Sequence, residues 1–193
     1  MKSINFDNVG FLEQKLSKEV LQQLNSYIKN KKENWNKQLI GHISSSNILE
    51  DKDDWFFTNT ILPTIKKFQH DFNLESLWVN FQKKHEFNPL HDHSGVYSFV
   101  IWLTIPSDYN KEKELPFVKH AIDSIANVFE FAYVNSLGKL CTHKYKLSAD
   151  DEGTMLFFPA KLFHSVYPFY LSNKTRISVS GNISLNPEKI MKK

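Results

Sequence analysis

A chain of 193 residues, 41% of them hydrophobic, suits one folded domain and is too apolar to be a disordered one. Its 24 basic and 21 acidic residues leave a net charge of +3, so no nucleic-acid partner is expected. The lone cysteine, Cys141, excludes an internal disulfide framework and a cysteine-based zinc site. It reads as a half-buried strand residue and fits a reducing, cytoplasmic compartment.

Met1 to Gly10 has no apolar region of the signal-peptide kind, and no apolar run approaches the ~18 residues of a membrane span. No membrane partner is expected. Residues 1 to about 72 read as a helical, amphipathic N-terminal part. Ser17 is a candidate N-cap, because Val20, Leu21, Leu24, Tyr27 and Ile28 then recur at helical spacing. The basic run Lys29-Asn30-Lys31-Lys32 closes that helix as a solvated face. A second helix is expected from near Asp54 to Phe72, with Phe57, Ile61, Ile65 and Phe68 on one face and Pro63 kinking or splitting it. The polar segment 41–51 between them reads as irregular or a short strand.

From Leu74 the texture changes to β-rich runs. Strands are expected at Leu77–Phe81, Val96–Ile105, Asn127–Val134, Lys139–Leu147, Thr154–Phe158 and Thr175–Leu185. Asn135-Ser136-Leu137-Gly138 is a hairpin turn, and Asp150-Asp151-Glu152-Gly153 is a second turn. Residues 106–126 are polar and unassigned. Helices followed by many strands indicate α+β, mainly β: one domain over 1–193, with helices packed on one face of a sandwich or barrel and a jelly roll as leading candidate.

Eight histidines are present. His70 and His85 beside element ends, His120 in a polar loop and His143 in a hairpin strand read as structural. His91 and His93 differ. On extended backbone, residues two apart point to one side, so two imidazoles can reach one metal while Asp92 points away. Imidazole suits iron, zinc, copper and nickel alike. Gly153 to Pro159 is a turn, an apolar strand and a stop, after which His164 can return to the first pair. Three imidazoles leave coordination positions open, as a catalytic metal requires. Arg176 then opens a strand whose polar side carries Arg176, Ser178, Ser180 and Asn182. Arginine can grip a carboxylate bidentately and Ser178 can add a hydrogen bond, unless that side merely faces water.

Three stretches carry a family resemblance. They are Trp78-Val79-Asn80-Phe81 with Glu86 to Leu103 around His91-Asp92-His93; Gly153 to Pro159 with Leu162 to Phe169 around His164; and Arg176 to Asn182. Residues 74–185 thereby resemble the small bacterial and phage branch of the 2-oxoglutarate/Fe(II)-dependent oxygenases, a prolyl hydroxylase-like group. The resemblance implies a double-stranded β-helix, the jelly-roll form of that superfamily, over 74–185. It implies Fe(II) held by His91, His93 and His164, and 2-oxoglutarate held by Arg176 and Ser178, with Asn80 nearby. The implied reaction is hydroxylation of a peptidyl (prolyl) or small-molecule substrate, with decarboxylation of 2-oxoglutarate to succinate. The implied setting is the cytoplasm of a bacterium, or of an infected host cell if the chain is phage-encoded.

The superfamily's usual motif is His-x-Asp, whereas position 93 is histidine here, and Asp92 stands as the alternative third ligand. Gln82 shares a strand side with Asn80. Trp102 reads as core, Tyr97 and Tyr109 as pocket residues, and 106–126 as a lid. Two alternatives remain open. One is a cupin-like metalloenzyme, although residues 94–102 lack the glutamate a cupin needs. The other is a non-catalytic jelly-roll binding or structural protein.

Overall fold

The computed structural model describes residues 10–65 and 71–186. Among the described residues, ten strands form two antiparallel sheets. The larger contains β1 (Leu12–Lys15), β2 (Ser45–Ile48), β3 (Phe72–Gln82), β5 (Tyr97–Thr104), β8 (Thr154–Pro159) and β10 (Arg176–Leu185), in the order β1-β8-β5-β10-β3-β2. The smaller contains β4 (Asn88–His91), β6 (Val128–Val134), β7 (Leu140–Lys146) and β9 (Phe163–Val166), in the order β4-β9-β6-β7. This is the jelly-roll arrangement.

The period-2 pattern of β5 explains the layering. Phe99 and Ile101 join Leu77, Val79, Met155, Phe157, Val179 and Ile183 in one buried cluster, which also holds Val20, Leu24 and Tyr27 of helix α1 (Lys18–Lys29). Val100 and Trp102 point the other way, into a cluster with Leu156 and Phe158 and with Phe129 and Phe131 of the smaller sheet. One apolar layer thus lies between the sheets and another beneath α1.

Local chemistry sets the boundaries. Ser17 Oγ accepts from the Val20 amide and caps α1. Asn135 Oδ1 accepts from the amides of Leu137 and Lys139, and Gly138 takes φ +77°, closing the β6–β7 hairpin. Cys141 is half-buried in β7.

The N-terminal part departs from the helical expectation. It contributes β1 and β2 to the larger sheet, with α1 between them. The helix expected from near Asp54 to Phe72 is met by a helical run over 55–65, which follows a 3-10 turn at Lys52–Asp54 and contains a π-helical turn at Phe57–Ile61 before α2 (Leu62–Ile65), while Phe72 already opens β3. The Asp51 carboxylate starts the chain turning, accepting from the amides of Phe56 and Phe57 at 2.8 Å. Pro63 lies just after the π-helical turn inside this run, where the i→i−4 ladder is already interrupted. Phe68 and His70 lie outside the described residues. Among those described, no helix is long and apolar enough to cross a membrane.

Candidate metal centre

Strands β4 and β9 build the centre. They pair antiparallel with His91 directly opposite His164. His93 follows β4, its backbone fixed by a 2.9 Å hydrogen bond from its amide to Ala160 O. One nitrogen from each of the three rings lies within 4.8 Å of the others. Nδ1 of His91 lies 2.7 Å from Pro89 O, and Nδ1 of His164 lies 3.0 Å from Leu162 O. A carbonyl only accepts, so both Nδ1 atoms carry the proton and both Nε2 atoms keep a free lone pair.

Burial holds all three imidazoles below their ordinary pKa, that of His93 down to about 4, with repulsion from neighbouring imidazoles adding to it at His93 and His164. They are therefore neutral at pH 7, the form that ligates metal. His164 also packs against Phe129 and Phe158, which fix its ring. The alternative ligand, Asp92, pairs with Lys161 at 3.1 Å and stands apart from the three-imidazole cluster.

The imidazoles open into a cavity of about 340 Å³, walled by Arg176, Ser178 and Ser180 of β10 and by Asn80 and Gln82 of β3. The polar side of β10 thus faces the cavity rather than water. Arg176 is 1% exposed. Its Nη1 donates to Gln82 Oε1 at 3.0 Å and to Tyr167 O at 3.4 Å, and its Nη2 donates to Asn127 Oδ1. Its Nε has no partner, and no carboxylate among the described residues comes within ion-pairing distance. Burial lowers its pKa to about 9, with the Glu112 charge opposing the shift, so it remains a cation at neutral pH. Asn80 Oδ1 accepts from Ser46 Oγ at 2.7 Å.

Several expectations about the pocket are corrected. Tyr97 packs against Phe72 and Phe157 on the far side of the larger sheet, where its strand register puts it. Tyr109 lies under Lys146. Trp102 is core, stacked on Tyr145, yet also reaches the cavity wall. Segment 106–126, expected as a lid, contributes no lining residue. Its helix α3 (Tyr109–Glu112) is tied elsewhere, because the buried Glu112 carboxylate accepts from the amides of Tyr170 and Leu171. The loop segment that does line the cavity is 38–43, through Gln38, Leu39, Ile40, Gly41 and Ile43, and it is held by an antiparallel bridge between His42 and Phe87. That strap carries no motif. Its one sequence signal is Gly41, where a Cβ would lie 2.0 Å from Asn88 Oδ1. His85 and His143 pack on Tyr170 and Phe11, away from the cluster.

A family model described as "Putative 2OG-Fe(II) oxygenase" matches residues 76–182. No curated protein matches the chain. Solved structures share the fold. A Pseudomonas putida prolyl-4-hydroxylase is 13% identical at TM-score 0.54, with 92% of this chain and 94% of that one covered. A Trichoplax adhaerens prolyl hydroxylase, solved with a hypoxia inducible factor peptide, is 11% identical at TM-score 0.55, covering 93% and 84%. HygX from Streptomyces hygroscopicus, solved with nickel, 2-oxoglutarate and hygromycin B, is 11% identical at TM-score 0.55, covering 91% and 83%.

Proposed function

The chain belongs to the 2OG-Fe(II) oxygenases, enzymes that use Fe(II) and 2-oxoglutarate, and from that premise we propose that it hydroxylates a peptidyl (prolyl) or small-molecule substrate. The observation that carries this reading is the pairing, in one cavity, of three neutral imidazoles with a buried arginine that has no counterion among the described residues.

The residues present fit both groups. His91, His93 and His164 supply three lone pairs and leave coordination positions free. The carbonyls of Pro89 and Leu162 fix two of the rings, so little reordering accompanies metal binding. Arg176 offers Nε–H and one Nη2 hydrogen to the distal carboxylate of 2-oxoglutarate, with the Ser178 hydroxyl two residues along the same strand face. Asn80, whose Oδ1 is engaged by Ser46, offers its amide hydrogens. Bound Fe(II) and 2-oxoglutarate supply the oxidation: dioxygen is consumed, 2-oxoglutarate becomes succinate and carbon dioxide, and one oxygen atom enters a substrate C–H bond. The chain's own part is to hold both groups in fixed orientation. Phe129 and Phe158 wall the centre and limit water there.

The apolar side chains Ile40, Leu90 and Phe163 are exposed at the cavity's edge, which suits a substrate presenting a compact apolar ring such as that of proline. The folds shared with two prolyl hydroxylases agree with a peptidyl substrate, whereas the HygX fold agrees with a small molecule. The test supplies Fe(II), ascorbate, air and 2-oxoglutarate with proline-containing peptides. Succinate release matched by a +16 Da peptide supports the reading. Succinate release with every peptide unmodified rejects the peptidyl substrate, and no 2-oxoglutarate consumption at all rejects the oxygenase assignment.

A further inference from the structure

Arg176 is held on every bonded side by oxygen atoms without formal charge: the side-chain amides of Gln82 and Asn127 and the carbonyl of Tyr167. A buried guanidinium usually sits beside a carboxylate, because an unpaired charge in a low-dielectric interior is costly. The acid whose charge Arg176 feels, Glu112, is occupied by the Ser107 hydroxyl and the amides of Tyr170 and Leu171. It makes no ion pair with Arg176.

Both amides are locked with the oxygen toward the arginine. Gln82 stands directly across from Arg176 in the β3–β10 register. Its Nε2 donates to Glu86 O at 2.6 Å, which fixes Oε1 toward Nη1. Asn127 is fully buried and adopts φ +58°. Its Nδ2 donates to Ser107 O at 2.9 Å and Leu147 O at 2.8 Å, which leaves Oδ1 for Nη2. These bonds, with the Tyr167 carbonyl, occupy three of the five guanidinium donors.

We propose that Gln82, backed by Asn127, is a positioning residue whose neutrality reserves the Arg176 charge for the distal carboxylate of the co-substrate. The inference rests on Arg176 being the 2-oxoglutarate anchor. A glutamate at 82 would keep an acceptor oxygen in the same place but would be the counterion itself. The ligand carboxylate would then meet a neutralised pair and a second negative charge. A methionine at 82 would remove the acceptor but leave the charge available.

The ranking of two variants decides the matter. 2-Oxoglutarate is titrated anaerobically into Fe(II)-loaded wild type, Gln82→Glu and Gln82→Met, with 2-oxobutyrate, which lacks the distal carboxylate, as a second probe. The expected result is a Kd for 2-oxoglutarate raised at least tenfold in Gln82→Glu and about threefold or less in Gln82→Met, with 2-oxobutyrate binding equally to all three. A merely geometric role removes the gap between the variants, because glutamate loses the bond to Glu86 O and methionine loses both amide bonds, so Gln82→Met should bind 2-oxoglutarate no better than Gln82→Glu does. Equal or reversed order, or wild-type affinity in Gln82→Glu, overturns the proposal while leaving the function intact. Absence of 2-oxoglutarate binding by the wild type overturns the Arg176 anchor and this inference with it. If Gln82→Glu does not fold, Gln82→Met alone decides. Binding retained within threefold supports the proposal, and a loss as large as that of Arg176→Ala overturns it.

Discussion

His91 and His164 face each other across the β4–β9 pair, their ring centroids 4.3 Å apart, with His93 5.0 Å from the first and 4.9 Å from the second. Register alone therefore brings together two residues 73 positions apart in the chain. On the proposed ligand assignment, removing either ring removes a ligand without disturbing the other's tether. His164→Ala should weaken Fe(II) binding at least hundredfold, read by competition with a chromophoric chelator. An affinity within threefold of wild type would show that His164 is only a packing residue.

His93→Asp tests whether the imidazole at position 93 can be exchanged for the carboxylate of the superfamily's usual His-x-Asp motif. His93→Asp puts a negative charge beside a dication in a partly buried site, and Lys161 adds a compensating cation nearby. Fe(II) affinity equal to or above that of the wild type is expected. A loss of tenfold or more would mean that the backbone here requires the longer reach of histidine.

The proposed division of labour between imidazoles and guanidinium predicts separable losses. Arg176→Ala should raise the Kd for 2-oxoglutarate at least tenfold and leave the Kd for Fe(II) within threefold. Loss of a charge-assisted, bidentate contact is of that size. Equal effects on both ligands would contradict the assignment of Arg176 to the co-substrate.

The neutral histidines couple stability to pH. Their folded pKa values lie below the unfolded value of about 6.5, that of His93 near 4, with burial as the largest cause. As pH falls below about 6.5 the unfolded chain takes up protons that the folded chain refuses, so the metal-free protein loses stability between about pH 6.5 and pH 4. Melting curves of chelator-treated protein should shift to lower Tm across that window. His93→Gln should show a shallower fall, and an unchanged profile would contradict a buried neutral ring at 93.

Packing in the larger sheet sets a separate constraint. A Cβ on Gly181, mid-strand in β10, would stand 2.6 Å from the Phe99 ring and 2.7 Å from Ser76 O. The backbone oxygen cannot move aside without breaking the β3–β10 register. Gly181→Ala should cost about 1–3 kcal/mol. At roughly 2–4 °C per kcal/mol for a chain of this size, the loss is visible as a lowered Tm.

Long alternating runs were legible in the sequence. β5, β6, β7, β8 and β10 lie within two residues of their expected limits, because their apolar periodicity and the turns at Gly138 and Gly153 are local signals. β4 and β9 were not legible. Each has four residues, and β4 contains a proline, so only pairing with each other makes them strands. β1 is exposed throughout and has no apolar pattern to read. The centre follows the same division. His91, His93, His164 and Arg176, singled out by residue type, do come together around one cavity. Asn127 looks like an ordinary strand start, and its hold on Arg176 depends on a left-handed backbone at 127 and on the β10 register. The strap at 38–43 depends on the bridge between His42 and Phe87, which no local pattern encodes.

One measurement tests the central claim most directly. Fe(II) and 2-oxoglutarate are added anaerobically to the purified protein and the visible spectrum is recorded. A metal-to-ligand charge-transfer band should appear, saturate with 2-oxoglutarate and vanish in His164→Ala. No band, together with no 2-oxoglutarate-dependent rise in Tm, would contradict an Fe(II)/2-oxoglutarate centre built from His91, His93, His164 and Arg176.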